Sequence, residues 1–174
     1  MHAAPESPSS FAAVFREHAP YVWRVMRRLG VREADAEDLC QEVFVVVHRR
    51  LAEFEGRSSL RTWIYGIAIR VASDHRRRAH VRREQPTEEL PEERRSAPQI
   101  AELEREEARA MLDAALRELD EDKRTVFVLY EIEGLEMKDV AEAVGCPLQT
   151  AYSRLHAARK RVTETIKERS GVTA

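Results

Sequence analysis

Two rows of side chains in this sequence have types and spacings suited to contact with nucleic acid. In residues 137–161 (MKDVAEAVGCPLQTAYSRLHAARKR), Val140 and Val144 lie one helical turn apart and Ala141 is small enough for a second helix to cross closely. Gly145 stands where a helix end needs left-handed backbone, and Cys146 and Pro147 make the turn. From Leu148 the apolar residues Ala151, Leu155, Ala158, Val162 and Ile166 recur at helical spacing, which leaves Gln149, Tyr152, Ser153, His156 and Lys160 facing outward. Such a row can read base edges, with Arg154, Arg159, Lys160 and Arg161 placed for phosphates. The pattern predicts a helix-turn-helix; two short helices packed at a bend are the plainer alternative. The second row is Trp63, Gly66, Arg70, Ser73 and Arg77, one face of a predicted helix that combines a stacking ring, a bare backbone position and two cations. An unstacked base and its phosphates need such groups. Core packing is the competing explanation for Trp63, and Gly66 calls for the close approach of either DNA or another helix.

A third row has different chemistry. Asp38, Gln41, Glu42 and Val45 fall at i, i+3, i+4 and i+7, an acidic and polar stripe opposite an apolar one. It suits an arginine-rich partner helix, and an ordinary solvated face is the alternative. The sequence holds no Ser/His/Asp set, no metal-ligand spacing and no glycine loop for phosphates, and its six histidines are scattered. Neither catalysis, a metal nor a cofactor is expected. The two cysteines, Cys40 and Cys146, occupy apolar helix or turn positions and make no disulfide framework. The opening MHAAPESPSS has no basic-then-apolar signal and no segment approaches a membrane span, so a cytoplasmic protein without membrane insertion is expected.

The elements that position these rows are helical throughout. With 34% charged and 6% aromatic residues and no alternating β pattern, the 174-residue chain is expected to be all-α, in two small helical domains. Residues 11–29 form a first amphipathic helix ended by Gly30, and 34–54 a second with Leu39, Val43, Val46, Val47 and Leu51 buried. A third, capped by Ser58 or Ser59, buries Leu60, Ile64, Ile67, Ala68 and Val71 and runs to the cluster Arg76, Arg77 and Arg78. Residues 84–101, with Pro86, Pro91 and Pro98 among acids, read as a flexible linker. The second domain, 102–169, starts with a helix burying Leu112, Ala115, Leu116 and Leu119. A helix apolar nearly all round follows, capped by Asp120, containing Val126, Phe127, Leu129, Tyr130 and Ile132, and stopped by Gly134. Residues 1–10 and 170–174 complete the chain as a flexible start and a short tail.

The net charge of −2 conceals blocks. Residues 49–83 hold ten arginines against three acids, 84–122 fourteen acids against five arginines, and 147–169 six basic residues against two acids. Two cationic blocks thus flank an acidic middle, a pattern that suits phosphate contact at both ends, with ordinary solvated helix faces as the alternative. The acidic middle can also follow a cationic channel and mimic the phosphates of RNA.

Residues 35–44 (DAEDLCQEVF), 54–68 (FEGRSSLRTWIYGIA) and the helix-turn-helix together resemble the extracytoplasmic-function (ECF) sigma factors of bacteria. The second of these is similar to the family pattern F-x-G-x-S-x-x-x-T-W-[LI]-x-x-I-A. The resemblance implies a region 2-like domain at 11–83 and a region 4-like domain at 102–169. Its implied partners are core RNA polymerase, through the clamp of the largest subunit and the flap of the second-largest, promoter DNA and an anti-sigma factor. It assigns Asp38, Gln41, Glu42 and Val45 to the polymerase. Arg57, Ser58, Ser59, Arg61, Trp63, Arg70, Arg76, Arg77 and Arg78 fall to the −10 element. Gln149, Thr150, Tyr152, Ser153, Arg154, His156, Arg159 and Lys160 fall to the −35 element. Gly66, Arg70, Tyr152 and Ala157 depart from the usual family residues, so promoter preference does not carry over. The rival expectation is a helix-turn-helix regulator whose first domain dimerises or senses a ligand; the stretch 54–68 favours a promoter-melting subunit.

Overall fold

The computed structural model describes residues 10–82 and 100–170, and within its helices the side chains outside 80–104. The described residues form seven helices and no strand: α1 (Phe11–Arg28), α2 (Glu33–Arg50), α3 (Leu60–Arg82), α4 (Ile100–Arg117), α5 (Glu121–Phe127), α6 (Met137–Val144) and α7 (Leu148–Arg169). The expected linker is not described over 84–99, and α4 begins at Ile100, inside its expected end. The termini 1–9 and 171–174 also lie outside the described residues.

Local chemistry explains the boundaries. Ser10 caps α1, Ser59 accepts from the Thr62 amide at 3.0 Å before α3, and Asp120 accepts from the Lys123 amide at 2.9 Å before α5. The second helix is shorter than its apolar period suggests, because a 3₁₀ turn at Leu51–Glu53 tightens the chain before the glycine loop. The third runs beyond the Arg76–Arg78 cluster to Arg82.

The apolar helix after Asp120 is also not uniform. It passes from α5 into a π-helical turn at Val128–Ile132, with the Glu133 amide bonded to the Val128 carbonyl at 3.0 Å, and stops at Gly134 with φ 69°.

In the first half, Val22, Val25 and Met26 of α1 pack with Val43 and Val47 of α2 and Ile64 and Ala68 of α3. In the second, Leu116, Val126, Leu129 and Val140 pack with Ala151, Leu155, Ala158 and Val162 of α7. The two cores meet. Helix α6 lies across α3, so the apolar interior is continuous through both halves.

Candidate polymerase and nucleic-acid interfaces

The turn between α6 and α7 is closed by Gly145 at φ 69° and ψ 39°, with the Cys146 amide on the Ala141 carbonyl at 3.0 Å and the Gly145 amide on Glu142 at 3.2 Å. That geometry fixes the register of α7. Its apolar row Ala151, Leu155, Ala158 and Val162 is buried, and Gln149, Tyr152, Ser153, His156 and Lys160 are exposed, as the sequence pattern predicts. Thr150 and Ala157 are half-buried at the edges of that face.

The cations beside it already have acidic partners. Arg154 pairs with Asp122, Arg159 with Glu131 while lying over the Tyr130 ring, and Arg161 with Glu118 at 3.1 Å. Phosphate must compete for them. These exposed acids hold weakly, since solvent screens such pairs. Ser153 donates to the Gln149 carbonyl at 3.0 Å and keeps its lone pairs available.

On α3 the surroundings differ. Ser58 is half-buried, Arg57 and Ser59 are exposed in the loop around Gly56, and Arg57 pairs with Glu55. Trp63 is half-buried, its ring 5.3 Å from that of Phe54, so it belongs neither wholly to the core nor to solvent. With Arg50, Thr62, Gly66, Ile67, Arg70, Glu142 and Ala143 it lines a half-open cavity of about 150 Å³ between α3 and α6. The close approach read from Gly66 is made by a helix: a Cβ there would lie 3.5 Å from the Ala143 carbonyl oxygen, in ordinary van der Waals contact. Arg70 and Arg77 are exposed, the latter paired with Asp74.

Two residues expected at DNA are engaged by the second half of the chain. Arg61 Nη2 donates to the Glu133 carbonyl oxygen at 2.9 Å and to its carboxylate at 3.2 Å. Arg28 Nη1 and the Tyr65 hydroxyl also donate to that carboxylate, at 2.7 and 2.9 Å. Glu133 is buried, with a side chain only 4% exposed. Burial, and then the neighbouring carboxylate, push the Tyr65 phenol up to about 12, although Arg61 opposes them. Burial alone would lower the Arg61 guanidinium, but its bonds to Tyr65 and Glu133 outweigh that and raise it. Arg76 donates to the Leu29 carbonyl and to Glu121, both at 2.6 Å. Arg124 reaches the same Leu29 carbonyl at 3.3 Å.

Sequence reasoning missed Glu133 and its partners Arg28 and Tyr65. A signal existed: Val126, Leu129 and Glu133 fall at i, i+3 and i+7, which puts an acid in a buried row.

On α2, Asp38, Gln41, Glu42 and Val45 are all exposed, in one row on the side away from buried Leu39, Val43 and Val47. Arg78 approaches Glu42 at 3.4 Å, an exposed pair. Among the described residues no group of His, Cys, Asp and Glu is placed to hold a metal ion.

Residues 14–82 match the family described as sigma-70 region 2, and residues 109–162 match sigma-70, region 4. The chain is 33% identical over 144 residues to an RNA polymerase sigma-H factor of Pseudomonas aeruginosa, covering 76% of this chain and 74% of the relative. It is 31% identical over 148 residues to an ECF RNA polymerase sigma-E factor of Haemophilus influenzae, covering 79% and 77%. Among solved structures, the sigma factor RpoE in complex with the anti-sigma factor NepR from Bartonella quintana has a similar fold. The TM-score is 0.73 at 23% identity, over 90% of this chain and 96% of that one.

Proposed function

We propose a residue-level division of labour for this chain, which belongs to the sigma-70 family and, within it, to the extracytoplasmic-function sigma factors. It binds core RNA polymerase and directs promoter-specific initiation. The observation that carries the division is the separation of three chemically distinct rows onto three helices. The acidic row of α2, Asp38, Gln41, Glu42 and Val45, docks on the clamp of the largest polymerase subunit. On α3, Trp63 stacks on an unpaired base of the −10 element. Arg57, Ser58, Ser59 and Arg61 surround it, and Arg70, Arg76, Arg77 and Arg78 follow the backbone.

On α7, Ser153 and His156 face base edges of the −35 element, flanked by Gln149, Thr150 and Tyr152. Arg154, Arg159 and Lys160 hold its phosphates, and the half containing α7 rests against the flap of the second-largest subunit. Residues 11–83 and 102–169 are the working units. The chain supplies binding and the polymerase supplies the chemistry, so it is not itself an enzyme. Its place of work is the cytoplasm, where both partners reside; among the described residues no helix is long and apolar enough to cross a membrane. An anti-sigma factor is a further partner, as in the complex of the Bartonella protein.

The test is assembly. Replacing Asp38 and Glu42 together by Arg sets like charges against an arginine-rich partner and weakens capture by core polymerase about tenfold or more. Equal co-purification of variant and unmodified chain would place the docking surface elsewhere.

A further inference from the structure

We propose that Leu148 and Tyr152, at the start of α7, read the 5-methyl groups of thymines in the −35 element and so set a preference for T·A pairs beneath that end of the helix. The inference deepens the assignment of α7 to the −35 element and rests on it. The two side chains are 47% and 49% exposed, and neither belongs to the apolar interior that holds Ala151 and Leu155. Single exposed apolar residues are ordinary. These two, however, stand one helical turn apart in one row, on the N-terminal turns that a recognition helix sets against base edges.

Their place on the helix decides what they can touch. Gln149 follows Leu148 and Ser153 follows Tyr152, each about 100° further round the helix. The start of α7 therefore carries two parallel rows, one apolar and one polar. The major-groove edge of a T·A pair presents the same two kinds of group: a methyl on thymine, and the N6 donor with the N7 acceptor on adenine. No other pair offers a methyl. The Gln149 amide can bond N6 and N7 of an adenine while the apolar row covers the methyl of a neighbouring thymine. Ser153 spends its proton on the Gln149 backbone carbonyl at 3.0 Å, which leaves its oxygen to accept, as from adenine N6.

Charge selects DNA over a protein surface as the occupant. The first turn of α7 contains no acid, so nothing there repels phosphate. Further along, the apolar row leads to Arg159 and the polar row to Lys160, both exposed, although Glu131 shares the arginine. Each row thus ends in a cation suited to the rim of a groove.

The methyl groups can be removed without touching the protein. Core polymerase with the unmodified chain selects −35 sequences from a promoter library randomised there, and each selected thymine is then replaced singly by deoxyuridine. At two positions the change should weaken promoter binding about threefold to fourfold, the worth of one buried methyl group. With Leu148→Ala one of those positions should no longer distinguish thymine from uracil, and with Tyr152→Ala the other should not. Tyr152→Phe keeps the ring and should keep the distinction. Four results would each overturn the proposal while leaving α7 on the −35 element: selected sequences without thymine, equal binding of thymine and uracil by the unmodified chain, alanine variants that discriminate as it does, or loss of discrimination in Tyr152→Phe. A library that yields no −35 preference at all would overturn the assignment of α7 itself, and the inference with it.

Discussion

On α7 the row Gln149, Tyr152, Ser153 and His156 stands in solvent with its apolar row buried beneath it, whereas on α3 the row Trp63, Gly66 and Arg70 lies against a helix from the other half of the chain. Both are helices with a polar or aromatic working face. They differ in their apolar sides. Helix α7 buries one stripe and its neighbours in the second half cover it. In α3 every residue from Ile64 to Ala68 is buried, which no single stripe can achieve. One flank packs on α1 and α2, and α6 covers the other. A face on a one-sided helix stands open to solvent, while the face on the two-sided α3 is covered here by α6.

Three measurements sharpen that contrast, and the largest effect is expected at the covered face. The Tyr65 phenol is held up to about 12, against 10.0 for an ordinary tyrosine. Its folded-state value is raised, so its contribution to stability is complete below about pH 10 and is lost as pH rises through about 12. The integrated loss is on the order of 3 kcal/mol. Urea unfolding across that range should fall more steeply for the unmodified chain than for Tyr65→Phe. Parallel curves would mean that the hydroxyl is not the buried partner of Glu133 described.

At the open face, Ser153→Ala with His156→Ala should cost roughly 1 to 3 kcal/mol at the contacted base pairs and relax preference there. A promoter library read by the double variant with unchanged preference would remove both from base contact. The smallest effect is expected at Arg159, whose guanidinium already has Glu131 beside it. Arg159→Ala should weaken −35 binding uniformly across sequences and lower the salt slope by about one. Loss confined to one sequence would make Arg159 a base reader instead.

The open face was legible in the sequence because its causes are local. Gly145 ends α6, Pro147 prevents its continuation, and one apolar period from Ala151 to Val162 fixes which side chains turn outward. The covered face was legible only in part. The row of Trp63, Gly66 and Arg70 follows from helical spacing, but its neighbour α6 is far away in sequence, and nothing local chooses between a DNA strand and a helix as the group that approaches Gly66. Glu133 was missed for a related reason. An acid beside a helix-stopping glycine reads as surface, and the π turn at Val128–Ile132 and the three donors that make its burial tolerable arise only in the assembled fold.

Promoter opening is the most direct measure of the α3 face as the part proposed to hold opened DNA. Trp63→Ala with Arg70→Ala should leave capture by core polymerase intact and reduce open-complex formation on duplex promoter by roughly ten- to a hundredfold, since one stacked base is worth about 1 to 3 kcal/mol. A promoter already unpaired across the −10 element should recover most of the loss. Folded variants that open duplex promoter at the unmodified rate would contradict the account and assign melting to other residues.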